Sequence, residues 1–403
     1  MHKHFLVFLG IISSTLSFGQ SETQQYQDVA FLSNDSLEGR EMGTKGELIA
    51  ANYIAKRFES IGLKPINDSA VFFQIVKKRL KAHPHDTLFS GGEIEGRNIV
   101  GFLDNHSKNT IIIGAHYDHL GWGESNSLST EKAIHNGADD NASGIASLLY
   151  LAEQLKSKQT NNNFLFVAFT GEEKGLLGSN YFVNHINHKL EDINFMINMD
   201  MVGRLDSLRR LAIYGVGTSP DFLPVIHKID SPSFQFKFDS SGVGPSDHTS
   251  FYLNDIPVLH FFTGQHAQYH KPEDDLELIN FEGLNDVSAF IMNVILSLDT
   301  MEKLEFRKTK EPEKKRRHFK VTMGIMPDYL YDGSGLKIDG VSENRPADNA
   351  GLIKGDVVVK IGDIKVNSMQ DYMKVLSVSN KGDQLKIEFI RDGKLKKSKV
   401  IFD

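Results

Sequence analysis

Five side chains able to bind a cation are spread along this chain at His116, Asp140, Glu173, Asp200 and His270, with Glu172 beside the third. Imidazole and carboxylate donors in this mixture suit two divalent cations sharing one activated water, an arrangement used for hydrolysis. Taken singly, each residue also has an ordinary explanation. His116 follows the apolar run 111–115, and Asp118 lies two residues on. In an extended segment that spacing lets Asp118 accept a hydrogen bond from His116 and fix its tautomer. Asp139 and Asp140 sit in the glycine-bounded turn 137–144, where either can cap a helix. The cap suits Asp139, whereas the two oxygens of Asp140 can bridge a pair of cations. Glu172 and Glu173 can open a solvated helix, or divide the work of general base and metal ligand. Asp200 ends an apolar run, and His270 follows Tyr269 in a loop. Together the five are hard to explain without cations, because mutual repulsion among the carboxylates would raise their pKa values and cost stability.

The surrounding text supplies elements able to bring them together. Residues 45–61 place Ile49, Tyr53, Ile54, Phe58 and Ile61 at helical spacing and stop at Gly62, and residues 143–155 and 174–184 also read as helices. Short apolar runs at 111–115, 164–169, 195–199 and 256–262 read as buried strands. Alternation of strands and helices predicts an α/β three-layer sandwich around a largely parallel mixed sheet. Ligands bind such sheets at the carboxyl ends of the strands, where these residues fall.

The 403 residues, 40% hydrophobic and 24% charged, favour two domains, and a net charge of −7 argues against a nucleic-acid binder. Lys3, an apolar run at 5–12 and small residues to Gly19 read as a signal peptide over 1–19, so export to the periplasm or medium is expected. No later segment reads as long and apolar enough to cross a membrane. The chain has no cysteine, which excludes disulfides, thiolate ligands and lipid attachment through cysteine. Residues 20–300 form the expected first domain, 301–318 a charged linker, and 319–403 a module of short strands and glycine turns.

In order, Gly114 to Asp118, Gly137 to Gly144, Gly171 to Gly178, Met199 to Met201 and Tyr269-His270 resemble the zinc aminopeptidases of peptidase clan MH, including bacterial leucyl aminopeptidases. The resemblance implies two zinc ions, one on His116 and Asp200 and one on Glu173 and His270, with Asp140 bridging. It implies Glu172 as general base, Asp118 as partner of His116, Tyr269 as oxyanion stabiliser, and Ser246-Asp247-His248 as support lining the pocket, Ser246 included. His119, His135, His185, His188, His260 and His266 are left as non-ligands. The segment 319–403 resembles a PDZ domain, with Met323, Gly324, Ile325 and Met326 as the loop that holds a peptide carboxylate. Expected partners are peptides with free N-termini and, at the second domain, peptide C-termini. Three alternatives stay open: a carboxypeptidase or dipeptidase on the same fold, a one-zinc glutaminyl cyclase, and a catalytically silent peptide-binding protein.

Overall fold

The computed structural model describes residues 23–66, 71–79, 92–124, 126–186, 188–230, 233–309, 321–328, 331, 333–341, 344–367 and 369–402. The expected signal peptide and residues 310–318 of the expected linker lie outside them. Nine strands form the first sheet: β1 (Lys64–Pro65), β2 (Phe73–Arg79), β3 (Glu93–Leu103), β4 (Thr110–His116), β5 (Asn163–Phe169), β6 (Ile193–Met199), β7 (Arg210–Tyr214), β8 (Gln235–Asp239) and β9 (Val258–Phe262). Their order is β1-β3-β5-β4-β6-β9-β7-β8, with β2 paired to β3. The central strands β5, β4, β6 and β9 run parallel, and the β3–β5 and β7–β9 pairings are antiparallel.

Side-chain alternation along these strands builds the layers. Ile111, Ile113, Phe164, Phe166, Phe195 and Ile197 enter one apolar cluster, whereas Ile112, Leu165, Val167 and Met196 enter another on the opposite face. The first face is covered by α1 (Gln24–Leu32), α2 (Lys45–Ile61), α3 (Gly144–Lys156) and α7 (Phe281–Asp299), and the second by α4 (Leu177–His185) and α6 (His248–Tyr252); α5 (Phe222–Ile226) lies against α7. Thr44 caps α2 by accepting the Glu47 backbone N–H, and Gly62 closes it in the left-handed conformation. Helix α4 begins later than its sequence pattern predicts, because residues 172–177 make a turn held by the Leu176 and Leu177 amides on Glu172 and Gly171 carbonyls. Helix α7 is long and apolar enough to cross a bilayer, contrary to expectation. Its apolar face, including Leu284, Val287, Ile291, Val294 and Ile295, is instead consumed in the core.

Residues 302–309 depart from the expected linker. Leu304 is buried, Leu304 N donates to Asn194 Oδ1, and Thr309 N donates to the Tyr252 hydroxyl, so this segment is tied to the first sheet unit.

The remaining described chain builds a second, antiparallel sheet from β10 (Ile325–Pro327), β11 (Leu336–Val341), β12 (Val357–Ile361), β13 (Ile364–Lys365), β14 (Gln384–Arg391) and β15 (Lys394–Ile401). Its own apolar cluster draws on residues from Val321 to Phe402. Within the expected carboxylate loop, Met323 is fully buried in this cluster and Ile325 and Met326 belong to β10, so the Met323 side chain is core rather than ligand-facing.

Candidate metal centre

Because β4, β5, β6 and β9 are parallel, their carboxyl ends open on one edge of the sheet. His116 is the last residue of β4 and pairs with Phe169, the last of β5; Glu172 and Glu173 follow in the turn after β5. Asp200 follows β6, His270 comes from the loop after β9, and Asp140 from the turn that opens α3. All five sequence-predicted donors meet here. His116 Nε2 lies 3.3 Å from Asp140 Oδ1 and 3.3 Å from Asp200 Oδ1. His270 Nε2 lies 3.3 Å from Asp140 Oδ2 and 3.2 Å from Glu173 Oε1. The two oxygens of Asp140 therefore face different imidazoles, and the donor set fits two cations with Asp140 between them.

Buried scaffolding holds the donors. The Asp139 and Asp140 amides donate to the Asp274 carboxylate, each at 3.0 Å to Oδ2. Asn141 ties the same turn to the end of β6, donating to Met199 O and accepting from Met201 N and Gly144 N. Arg40, fully buried, donates to the carbonyls of Leu32, Tyr117, Asn136 and Gly137, joining the segments that carry His116 and Asp140.

Three expected roles change. His116 Nδ1 is 3.2 Å from the backbone carbonyl of Asp118 but 3.8 Å from its carboxylate, because the carboxylate turns to accept the Glu172 N–H at 3.1 Å. Asp139 does not cap α3; its Oδ1 accepts the Gly203 N–H at 2.7 Å, and its Oδ2 lies 3.3 Å from His266. His119, set aside as a non-ligand, has Nδ1 3.0 Å from Glu173 Oε1 and forms with Asp140 and Glu173 a group able to hold a metal. The only sequence signal for His119 was its place three residues after His116; the turn that swings it back is visible only in the fold. Arg40 and Asp274 had no signal, since each acts through backbone groups far away in the chain. Ser246 accepts from Asn198 Nδ2 at 2.8 Å, one step removed from the donors.

Burial and charge pull the titrating groups apart. Burial alone would lower the pKa of His116, yet Asp200 and Glu172 hold it well above the ordinary histidine value. Burial would raise Glu173, but His270 and hydrogen bonds from His119 and His270 bring it down to about 2. Glu172 is pushed well above the usual carboxylate range by burial and then by Glu173 and Asp200, against the pull of His116. Asp118 rises to about 8, chiefly through burial. Cations in the centre would replace protons on the imidazoles.

Beside the donors is a cleft lined by Met201, Tyr214, Phe262 and Tyr269 as well as by Asp140, Glu172, Glu173, Asp200 and His270. The Tyr269 ring stacks on that of His270 with centroids 3.9 Å apart.

Residues 98–295 match the model of Peptidase family M28, and residues 310–401 that of a PDZ domain. Aminopeptidase YwaD of Bacillus subtilis is 29% identical over 206 residues, covering 48% of this chain and 42% of the relative. The chain spans about half the length of the curated relatives it matches. The zinc aminopeptidase BSAP from Bacillus subtilis superposes with a TM-score of 0.54 at 18% identity, over 71% of this chain and 96% of that one. A glutaminyl cyclase from Bacteroides thetaiotaomicron superposes with a TM-score of 0.54 at 22% identity, over 68% of this chain and 96% of that one. At these identities the superpositions show a shared fold.

Proposed function

We propose, from the premise that residues 98–295 are a peptidase family M28 domain followed by a PDZ domain, that this chain is an exported aminopeptidase using two zinc ions to release N-terminal residues from peptides. The observation that carries the reading is Asp140, whose two oxygens stand 3.3 Å from His116 and 3.3 Å from His270. One ion would be held by His116, Asp140 and Asp200, the other by Asp140, Glu173 and His270. When bound, the ions supply an electrophile for the scissile carbonyl and acidify the attacking water.

Glu172 moves the protons. Glu172 lies in the turn beside the donors and lines the same cleft, where its carboxylate can take a proton from the attacking water and return it to the leaving amine. Its backbone amide, bound to Asp118, fixes the turn from which it acts. Tyr269 offers a hydroxyl to the developing oxyanion. Met201, Tyr214 and Phe262 form an apolar wall for the side chain of the released residue.

The polarity of the cleft separates the two exopeptidase readings. Its lining has four carboxylates and, among the described residues, neither lysine nor arginine. Three of those carboxylates are proposed ligands whose charge the cations would offset, so what favours the aminopeptidase over the carboxypeptidase is that no described lysine or arginine of the lining is present to pair with a terminal carboxylate. The test compares a peptide free at both ends with N-acetylated and C-amidated forms, with and without chelator. Cleavage of the free and C-amidated peptides, lost on chelation and restored by zinc, is the expected result. Cleavage of the N-acetylated peptide from its C-terminus overturns the assignment. Ammonia release from an N-terminal glutamine without peptide-bond cleavage indicates a cyclase instead.

A further inference from the structure

The second half of the centre contains one imidazole more than the proposed ligand set uses. His119 Nδ1 stands 3.0 Å from Glu173 Oε1 and 3.9 Å from Asp140 Oδ2. These are the two oxygens that His270 Nε2 approaches at 3.2 and 3.3 Å. The ligand atoms of His119, Asp140 and Glu173 all lie within 4.8 Å of one another, near enough to share an ion. The ring is 1% exposed, and Nε2 has no hydrogen-bond partner among the described residues. No other side chain therefore accounts for its burial through a polar bond; its polar contacts are the two carboxylates.

The backbone is shaped to admit this ring. Gly137, at φ +56°, lies so close that a Cβ there would come within 2.1 Å of the Asp140 carbonyl oxygen and 2.6 Å of His119 Cγ and Cδ2. Gly137 also begins the turn that delivers Asp140, so one glycine serves both the bridging carboxylate and the imidazole beside it.

We propose that His119 is a fourth protein ligand of the second cation, making a nitrogen-rich position beside the oxygen-richer one formed by His116, Asp140 and Asp200. The proposal rests on the two-ion reading above. Imidazole suits zinc, whereas carboxylate-rich positions accept harder ions more readily. The second position therefore binds zinc first and most tightly, and the first fills later and exchanges more freely.

The test strips the full chain with chelator, titrates zinc by calorimetry and elemental analysis, and counts imidazoles per zinc by X-ray absorption. Wild type is expected to take two ions in unequal steps, with three imidazoles shared between them. His119→Gln keeps an amide donor for Glu173 but is a poor ligand. It should weaken the tighter step by about 100-fold or more, since even loss of an outer hydrogen-bond partner costs about 10–100-fold. The imidazole count should fall to two. The unfolding temperature of the metal-free variant reports whether the fold survives. Unchanged affinities in the variant, or two imidazoles per two zincs in wild type, overturn the role of His119 and leave the two-ion reading intact. A wild-type stoichiometry of one ion overturns the two-ion reading itself. The wild-type imidazole count decides the matter even if the variant fails to fold.

Discussion

Glu172 and Glu173 are neighbours of one type with opposite proton affinities, and the difference is environmental. At Glu173 the pull of His270 and His119 outweighs burial and Asp140, whereas at Glu172 burial, Glu173 and Asp200 outweigh the pull of His116. Glu172→Gln should keep its metal, by elemental analysis, while the turnover of a free-amine peptide falls about 10²–10⁴-fold. Unchanged turnover removes Glu172 from the chemistry. Arg40 is a second single-residue case. Its guanidinium satisfies four buried carbonyls, and burial lowers its pKa to about 10. Removing it strands those carbonyls, so Arg40→Ala should cost about 3–5 kcal/mol in denaturant unfolding. Arg40→Lys should recover little of this, because an ammonium cannot reproduce the planar fork. His248 is fully buried against His260, with stacked rings 4.5 Å apart, and burial lowers its pKa to about 3. The unfolded chain takes up a proton near pH 6.5 that the native chain refuses. Stability conferred by this group is therefore complete above that pH and is lost as pH falls toward 3. Between pH 6.5 and 5 the metal-free protein should lose about 2 kcal/mol through His248, a loss absent in His248→Phe. Parallel pH curves for the two proteins would assign the acid sensitivity elsewhere.

At the scale of elements, the centre depends on close approach of segments that carry no ligand. Helix α2 packs on the turn at Asp35–Arg40, and Gly46 makes this contact. A Cβ on Gly46 would lie 1.7 Å from the Leu37 carbonyl oxygen, a backbone atom with little freedom to yield. Gly46→Ala should therefore lower stability by about 1–3 kcal/mol and displace the turn that presents Arg40. A drop in thermal midpoint with weaker zinc retention is the expected pair of readings. An unchanged midpoint would show that α2 can move away at little cost. The helix over residues 45–61 was legible from its apolar spacing and glycine stop, as were the four central strands from their unbroken apolar runs. The start of α4 was not, because a turn made of backbone bonds around Gly171 leaves little trace in side-chain periodicity.

For the whole molecule, the apolar clusters of the first unit reach no further than Phe306, and a separate one spans Val321 to Phe402. Separate cores predict separate folding. Removing residues 310–403 should leave the first unit with a cooperative thermal transition and its zinc. Removing 302–403 should lower that transition, because Leu304 and the bonds from Thr309 to Tyr252 are lost. Equal midpoints for the two truncations would mean that residues 302–309 contribute nothing. If the PDZ domain recruits substrate by its C-terminus, the shorter deletion should raise KM for long peptides and spare dipeptides. Equal effects on both lengths would argue for a tethering role.

Residue chemistry and order along the chain were enough to single out the five side chains that meet at one edge of the sheet and to read the α/β class, because side-chain chemistry and apolar periodicity are local properties. Tertiary structure alone decided that the Asp118 carboxylate turns to Glu172 rather than His116, that Asp139 serves Gly203, and that His119 and Arg40 reach the centre. Those contacts depend on where turns and parallel strand ends place atoms from distant segments, and on which partner remains within a few ångströms once water is excluded. Such distances are set by packing the whole sheet and its helices, which no local stretch of the chain encodes.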